Sequence, residues 1–148
     1  MMGMNVETTS DSNLLLVVTT GEFSLAEAER TFQQILDAIV EHQSEKVLFD
    51  GRTVAGDPTF IERFYYGEFA AESVINIIKF LKHGKNPRFA YVLDPEVIDS
   101  NRLGETVARN RGMNVRVFET TEEASKWLHE PIGEVWPAKI ITTSIKRP

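Results

Sequence analysis

The chain has 148 residues, enough for one domain with a buried core, and its 42% hydrophobic and 26% charged residues are typical of a globular protein. It has no cysteine, which excludes disulfides, thiolate metal sites, iron–sulfur clusters and cysteine nucleophiles. A net charge of -6 disfavours nucleic-acid binding, and no apolar run reaches the roughly 20 residues of a membrane helix. We therefore expect a cytoplasmic protein with no membrane insertion, no nucleic-acid partner and no cofactor.

The N-terminal third of the chain predicts two paired strands and a helix. The polar residues 10–12 favour a tight turn between strands at 5–9 and 13–19, which predicts a hairpin. The second of these strands begins with a continuous apolar run, a pattern typical of a strand that is covered on both faces. Ser24 and Glu27 have the spacing of a capping box, and an amphipathic helix is expected to follow them.

A third strand and a long helix are predicted next. Residues 46–50 form a short apolar run, and residues 51–58 contain two glycines and a proline, which indicate a loop. Asp57 and Pro58 favour a helix start, because an acidic side chain can cap a helix and proline is tolerated in its first turn. We expect this helix to continue to about His83.

The long helix is apolar over most of its circumference. Its two apolar stripes are Phe60, Phe64, Gly67, Ala71, Val74, Ile78 and Leu81, and beside them Tyr66, Phe69, Ile77 and Phe80. One sheet cannot cover both stripes, so we expect a second cover, supplied by another copy of the chain in a homodimer or by a different protein partner. The candidate interface residues are Phe60, Phe64, Tyr65, Tyr66, Phe69, Ile77 and Phe80.

The C-terminal half repeats the alternation of strands and helices. Strands are predicted at 89–93 and 115–118, with a weaker helix at 98–111 between them. Thr120 and Glu123 form another capping-box pattern, which predicts a short final helix. This order predicts a single α/β domain with a mostly parallel central sheet of about five strands, an N-terminal antiparallel edge hairpin and about four helices.

The domain is expected to span residues 5–130. Residues 1–4 are expected to be a disordered N-terminus, and residues 131–148 a C-terminal extension that is too apolar for a plain linker.

Three short segments resemble the STAS domain, the SpoIIAA-like superfamily of anti-sigma-factor antagonists. Residues 15–23 resemble a strand of that family followed by its Gly-Glu-Leu sequence, and residues 47–50 resemble its central strand, which ends in aspartate. Residues 117–124 resemble its closing strand and Glu-Glu-Ala helix. The resemblance covers about residues 5–130 and implies a STAS fold with a non-enzymatic, regulatory or protein-binding role.

The regulatory members of that family carry a phosphorylated serine in an Asp-Ser-Ser-Gly turn. The corresponding residues here are Asp57, Pro58, Thr59 and Phe60, so only the aspartate is kept and Thr59 would have to supply the hydroxyl. A phosphate on Thr59 would interact favourably with the helix dipole. An ordinary threonine at a helix start explains the same residue.

Four polar residues follow the ends of predicted parallel strands, where open α/β sheets place their ligands. They are Asp50, Arg52, Asp57 and Asp94. They could bind an anion or nucleotide or support a weak enzyme activity, whereas aspartates at such positions commonly cap helices and turns. The sequence has no known catalytic or nucleotide-binding motif, and its three histidines lie in separate elements, so we assign no catalytic or metal-binding residue.

Overall fold

The computed structural model describes residues 3–98 and 102–130. In these ranges the strands are β1 (Met4–Asp11), β2 (Leu14–Glu22), β3 (Lys46–Ala55), β4 (Arg88–Val92) and β5 (Asn114–Phe118). The helices are α1 (Leu25–His42), α2 (Phe60–Ile77), α3 (Leu103–Asn110) and α4 (Thr121–Leu128), with a 3-10 turn at Ile78–Phe80. The proposed C-terminal extension, 131–148, lies outside the described residues.

The five strands form one sheet in the order β1-β2-β3-β4-β5. β1 pairs antiparallel with β2, and every later pair is parallel. The predicted α/β fold, with a hairpin at one edge of a mostly parallel sheet, is therefore confirmed. β4 is buried along its whole length, as expected for a strand with parallel neighbours and helices on both faces.

The sheet begins one residue earlier than expected. The Met4 amide donates a hydrogen bond to Glu27 Oε1 at 3.1 Å, and Arg30 Nη2 donates to the Met4 carbonyl oxygen at 2.7 Å. These bonds tie the backbone of Met4 to α1, and the Met4 side chain is buried. Met4 is the first residue of β1 and is not part of a disordered N-terminus. The hairpin turn lies later in the chain than predicted, between Asp11 and Leu14, and Ser12 in this turn has the left-handed conformation.

Helices cover the two faces of the sheet unequally. α1, α2 and α3 pack on one face around the buried rings of Phe32 and Phe89. On the other face α4 packs on β3, β4 and β5, with Trp127 and Leu128 in the contact. Because α4 lies over β3, β4 and β5 and not over β2, Val18 of β2 is 43% exposed on this face. The expectation that the apolar run of β2 is covered on both faces is therefore wrong at Val18.

α2 begins and ends differently from the prediction. Thr59, rather than Asp57, is its N-cap, in a complete capping box with Glu62. The helix ends at Ile77 instead of near His83, because Gln43 supplies bonds to the chain beyond it. Gln43 Nε2 donates to the Phe80 carbonyl at 3.3 Å, and Gln43 Oε1 accepts from the Lys82 amide at 2.6 Å.

The second apolar stripe of α2 is covered largely within the chain. The rings of Tyr66 and Phe69 meet Phe32 of α1 edge to face, at centroid distances of 6.1 and 6.2 Å. Ile77 also packs against the core. Tyr66, Phe69 and Ile77 are therefore half-buried within the chain, and their part in an interface stays a prediction.

Candidate functional site

Asp50 and Arg52 form a close local pair at the end of β3. Arg52 Nη2 lies 2.8 Å from Asp50 Oδ2, while Asp50 Oδ1 accepts bonds from Arg52 Nε at 3.0 Å and from the Arg52 amide at 3.1 Å. These hydrogen bonds hold the pKa of Asp50 below its usual value and raise the pKa of Arg52. Asp50 and Arg52 follow Leu48 by two and four residues, and Leu48 packs in the cluster formed with α4, so strand alternation places this pair on the α4 side of the sheet.

Asp57 pairs with Arg63 on the opposite side of the sheet. Arg63 Nη2 donates to Asp57 Oδ1 at 2.8 Å, and the same guanidinium donates to the carbonyl oxygens of Pro58 at 3.1 Å and Val97 at 3.0 Å. Arg63 therefore fastens the β3–α2 loop to the segment that follows β4. Its side chain is mostly buried, whereas the Asp57 carboxylate is largely exposed.

Thr59 and Asp94 have structural roles in the fold. The Thr59 hydroxyl accepts from the Glu62 amide at 3.2 Å, and Glu62 Oε1 accepts from the Thr59 amide at 2.9 Å. Asp94 Oδ1 accepts from the Glu96 amide at 2.9 Å and so closes a turn. Thr59 is exposed at the helix N-terminus, and its phosphorylation stays a prediction.

The four strand-end residues thus do not share one cluster. Strand alternation sends Asp50 and Arg52 to one face of the sheet, and Asp57 with Arg63 lies on the other. Each of the two arginines is paired with an aspartate, so this arrangement gives no support to an anion site at the strand ends. In residues 3–98 and 102–130, no group of three or more histidine, aspartate or glutamate side chains could hold a metal ion.

The structure reveals a cavity that we did not predict from the sequence. It measures about 170 Å³ and lies between the C-terminal ends of β2 to β5 and the inner side of α2 and α3. Most of its lining is apolar, and the wall includes Phe23, Phe49, Ala70, Leu93 and Val117. A mostly apolar lining with a few polar groups is typical of small-molecule sites, and the volume is below the roughly 300–1,000 Å³ of sites for drug-sized ligands.

Two glycines in the cavity wall, Gly51 and Gly67, lie where a side chain would collide with neighbouring atoms. A Cβ added to Gly51 would lie 3.0 Å from Phe49 Cε1 and 3.1 Å from Leu93 Cδ2, both in the cavity wall. At Gly67 of α2 an added Cβ would lie 2.6 Å from the Gly104 carbonyl oxygen, so the absence of a side chain allows α2 and α3 to cross closely. Glycines in a strand and in a helix were the available sequence signal for such close approaches.

Four hydroxyl groups interrupt the apolar wall, and one of them, that of Thr31, donates to the Ala28 carbonyl oxygen at 3.0 Å. Thr19 is fully buried, and its hydroxyl has no hydrogen-bond partner in the part of the chain that the structure describes. The hydroxyls of Tyr66 and Tyr91 lie 2.8 Å apart. Burial raises the pKa of Tyr66 to about 12, and burial together with Tyr66 raises the pKa of Tyr91 well above its usual value, so both phenols stay protonated at neutral pH.

The charged groups at the cavity are engaged with each other and with the backbone. Arg102 Nη1 lies 3.3 Å from Glu105 Oε1 and donates to the Val117 carbonyl at 2.7 Å. Glu105 Oε2 accepts from the Val117 amide at 3.0 Å. Together with the Asp57–Arg63 pair, these bonds use the nearby charges for structure, which leaves the hydroxyls of Thr19, Tyr66 and Tyr91 as the polar groups available to a neutral ligand.

A second candidate site is the outward face of the N-terminal half of α2, which we call the outer α2 surface. It consists of Phe60, Ile61, Phe64 and Tyr65. Phe60 is 66% exposed, Ile61 55% and Tyr65 48%. Phe80, another candidate interface residue, is 59% exposed, but it lies beyond the opposite end of the helix, about 30 Å from Phe60 at 1.5 Å per residue.

No helix in the described ranges is both long enough and apolar enough to cross a lipid bilayer.

Comparison with known proteins identifies the fold. The structure is similar to the crystal structure of an anti-sigma factor antagonist from Mycobacterium paratuberculosis, with a TM-score of 0.54, 13% sequence identity, and coverage of 86% of this chain and 96% of that chain. The chain has the STAS, or SpoIIAA-like, fold. The sequence resemblance is thereby confirmed at the level of the fold.

Other comparisons add little to the STAS assignment. An uncharacterized protein with a SpoIIAA-like fold from Shewanella loihica matches with a TM-score of 0.49 and 14% identity, over 86% of this chain and 95% of that chain. No family model matches the sequence, and the search of curated proteins found no match. At these identities the STAS fold alone is established, and any function has to be argued from this chain's own residues.

Proposed function

We propose that this STAS-fold chain is a non-catalytic regulatory domain that acts by binding a second copy of itself through the outer α2 surface. The observation that carries this proposal is the exposure of Phe60, Ile61 and Tyr65 on a helix whose other sides are covered by the sheet, α1 and α3. Clustered exposed apolar side chains are uncommon on monomeric proteins and usually mark interaction sites. The similar Mycobacterium protein is described as an anti-sigma factor antagonist, a regulator, which supports a regulatory role.

The exposed side chains have no evident part in the stability of the monomer. The sheet side of α2 is formed by small residues, namely Gly67, Ala70, Ala71 and Val74. Phe60 shares the stripe of Gly67 and Ala71 but stands exposed at the start of the helix, as Ile61 does beside it, and their exposure costs free energy that burial against another surface would recover. Aromatic side chains are also enriched at protein interfaces, where they bury a large area at a small cost in conformational entropy.

A second copy fits this surface because both signs of charge border it. Arg111 Nη2 lies 3.1 Å from Glu68 Oε2, and the Arg111 guanidinium lies 5.6 Å from the centre of the Phe64 ring. In a two-fold contact the same patch faces itself, so the glutamate of one copy can meet the arginine of the other. A partner with only basic or only acidic residues would leave one of these charges opposite a like charge.

Charge insertion tests the proposal. We expect the wild type to sediment as a dimer at micromolar concentration and Ile61→Lys and Tyr65→Lys to sediment as monomers, since a lysine at the centre of the contact would be buried without a partner. Val18→Lys is the matched control, because it replaces an exposed apolar residue on the opposite face of the sheet and should remain dimeric. Circular dichroism checks that each variant is folded.

A wild type that stays monomeric at micromolar concentration would contradict the proposal. So would a Val18→Lys variant that dissociates to the same extent as Ile61→Lys.

A further inference from the structure

We infer that the cavity behind α2 is a binding site for a small, uncharged, mostly apolar molecule with one hydroxyl or carbonyl group, which pairs with the Thr19 hydroxyl. This site is independent of self-association, because its wall is formed by the inner side of α2 and by the sheet. The cavity measures about 170 Å³. An apolar cavity of about 150 Å³ is known to accept benzene, so the volume suits a single ring with a small substituent.

The Thr19 hydroxyl argues that the ligand carries a polar group. This side chain is completely buried in a strand whose inner face is otherwise apolar, at Leu15 and Val17, and its oxygen has no partner among the described residues. A buried hydroxyl without a partner is destabilising, whereas valine has nearly the same shape and would carry no such cost. A threonine at this position is explained if a bound molecule completes its hydrogen bond.

The Tyr66–Tyr91 pair adds a second polar point in the same wall. The two protonated phenols lie 2.8 Å apart, and one of them donates its O–H to the oxygen of the other. The O–H of the accepting phenol then has no acceptor in the described ranges. The cavity therefore offers hydroxyl groups, whereas Arg63 and Arg102 in its wall are already paired with carboxylates and the Glu62 carboxylate already accepts from the Thr59 amide. A charged ligand would be buried without a counterion, which excludes carboxylates and phosphates from the class that fits.

Phenol and toluene form a matched pair of probes for this site, because they differ by a hydroxyl in place of a methyl group. Thr19→Val makes the corresponding change in the protein. Titrations of the full chain followed by NMR amide shifts, or by calorimetry, give the ratio of the phenol to the toluene dissociation constant. We expect this ratio to rise about fivefold in Thr19→Val, because one hydrogen bond of about 1 kcal/mol is lost. Thr19→Ser keeps the hydroxyl and should keep the wild-type ratio.

A second variant locates the site without changing a polar group. In Gly51→Ala the added methyl group enters the cavity between Phe49 and Leu93 and beside the Thr19 hydroxyl, so both probes should bind severalfold more weakly. Benzoate should not bind to the wild type. The variants' NMR spectra establish that they are folded.

The inference is overturned if neither probe moves the amide signals of Thr19 and Gly51 at millimolar concentration. It is also overturned if the ratio is the same in the wild type and Thr19→Val, or if benzoate binds as well as phenol.

Discussion

The hydroxyl of Tyr66 on α2 lies 2.8 Å from the hydroxyl of Tyr91 on β4, so a helix and the centre of the sheet are joined by one hydrogen bond inside an apolar wall. Phe32 packs on the Tyr66 ring and Phe49 stacks on the Tyr91 ring at a centroid distance of 4.2 Å. Both phenols are held in place by aromatic neighbours. Neither can turn to water without disturbing the core.

Removal of both hydroxyls from this pair should cost less than the sum of the two single removals. We expect Tyr66→Phe or Tyr91→Phe alone to lower the free energy of unfolding by about 1–2 kcal/mol, because the remaining hydroxyl loses its buried partner. The double variant should lose less than the sum of the single variants. Urea denaturation of the four proteins measures this coupling, and strictly additive losses would show that the hydrogen bond is absent in solution.

The same pair predicts a loss of stability in alkali. In the unfolded chain both phenols titrate near pH 10, whereas the pKa of Tyr66 is about 12 in the folded chain and that of Tyr91 is also well above its usual value. Between about pH 10 and 12 the unfolded chain releases protons that the folded chain retains, so the free energy of unfolding falls as the pH rises; below about pH 10 this effect is absent. The Tyr66→Phe/Tyr91→Phe variant should fall less steeply in urea denaturation over this range. An equal slope would contradict the assignment.

The capping box at Thr59 predicts a local loss of stability. Thr59→Ala removes the oxygen that accepts from the Glu62 amide and should lower the free energy of unfolding by about 1 kcal/mol. Thr59→Ser keeps a capping hydroxyl and should cost only a few tenths of that amount. Thermal or urea denaturation distinguishes the two variants, and equal losses would mean that the cap contributes nothing.

The crossing of α2 over α3 should not tolerate a methyl group at Gly67. The added Cβ would lie 2.6 Å from the Gly104 carbonyl oxygen, a backbone atom that can move only with α3, so we expect Gly67→Ala to cost about 1–3 kcal/mol. Gly104→Ala is the control, since its Cβ would lie 3.3 Å from the Arg63 carbonyl oxygen. This contact is tight but less severe than that at Gly67, and alanine also favours helix, so Gly104→Ala should cost clearly less than Gly67→Ala. A Gly67→Ala variant as stable as the control would contradict the crossing.

Local signals were sufficient for most of the fold. Ser24 and Thr120 accept the capping bonds that their spacing predicts, although the Glu27 carboxylate turns to Met4 and Arg30 instead of completing its box. The strands and their order along the chain also follow from short apolar runs and turn residues. These features depend on neighbours within a few residues, which the sequence places beside each other.

The features that the sequence did not predict depend on distant residues. α2 ends at Ile77 because Gln43 bonds the chain beyond it, and its second apolar stripe is covered because Phe32 lies beside Tyr66. The cavity likewise combines Thr19 of β2 with residues of β3, β4, α2 and α3. At the strand ends, only the Asp50–Arg52 contact was close enough in sequence to be expected. Asp57 lies in the loop beyond β3 and pairs with Arg63 of α2, a contact that spacing along the chain does not predict.

The most direct test of self-association is an NMR experiment on an equimolar mixture of isotope-labelled and unlabelled chains. An isotope-filtered measurement detects only contacts between copies. We expect signals between the side chains of Phe60, Ile61 and Tyr65 of one copy and the same side chains of the other. A sample that is dimeric but shows intermolecular contacts only elsewhere, or that shows none at millimolar concentration, would contradict the account.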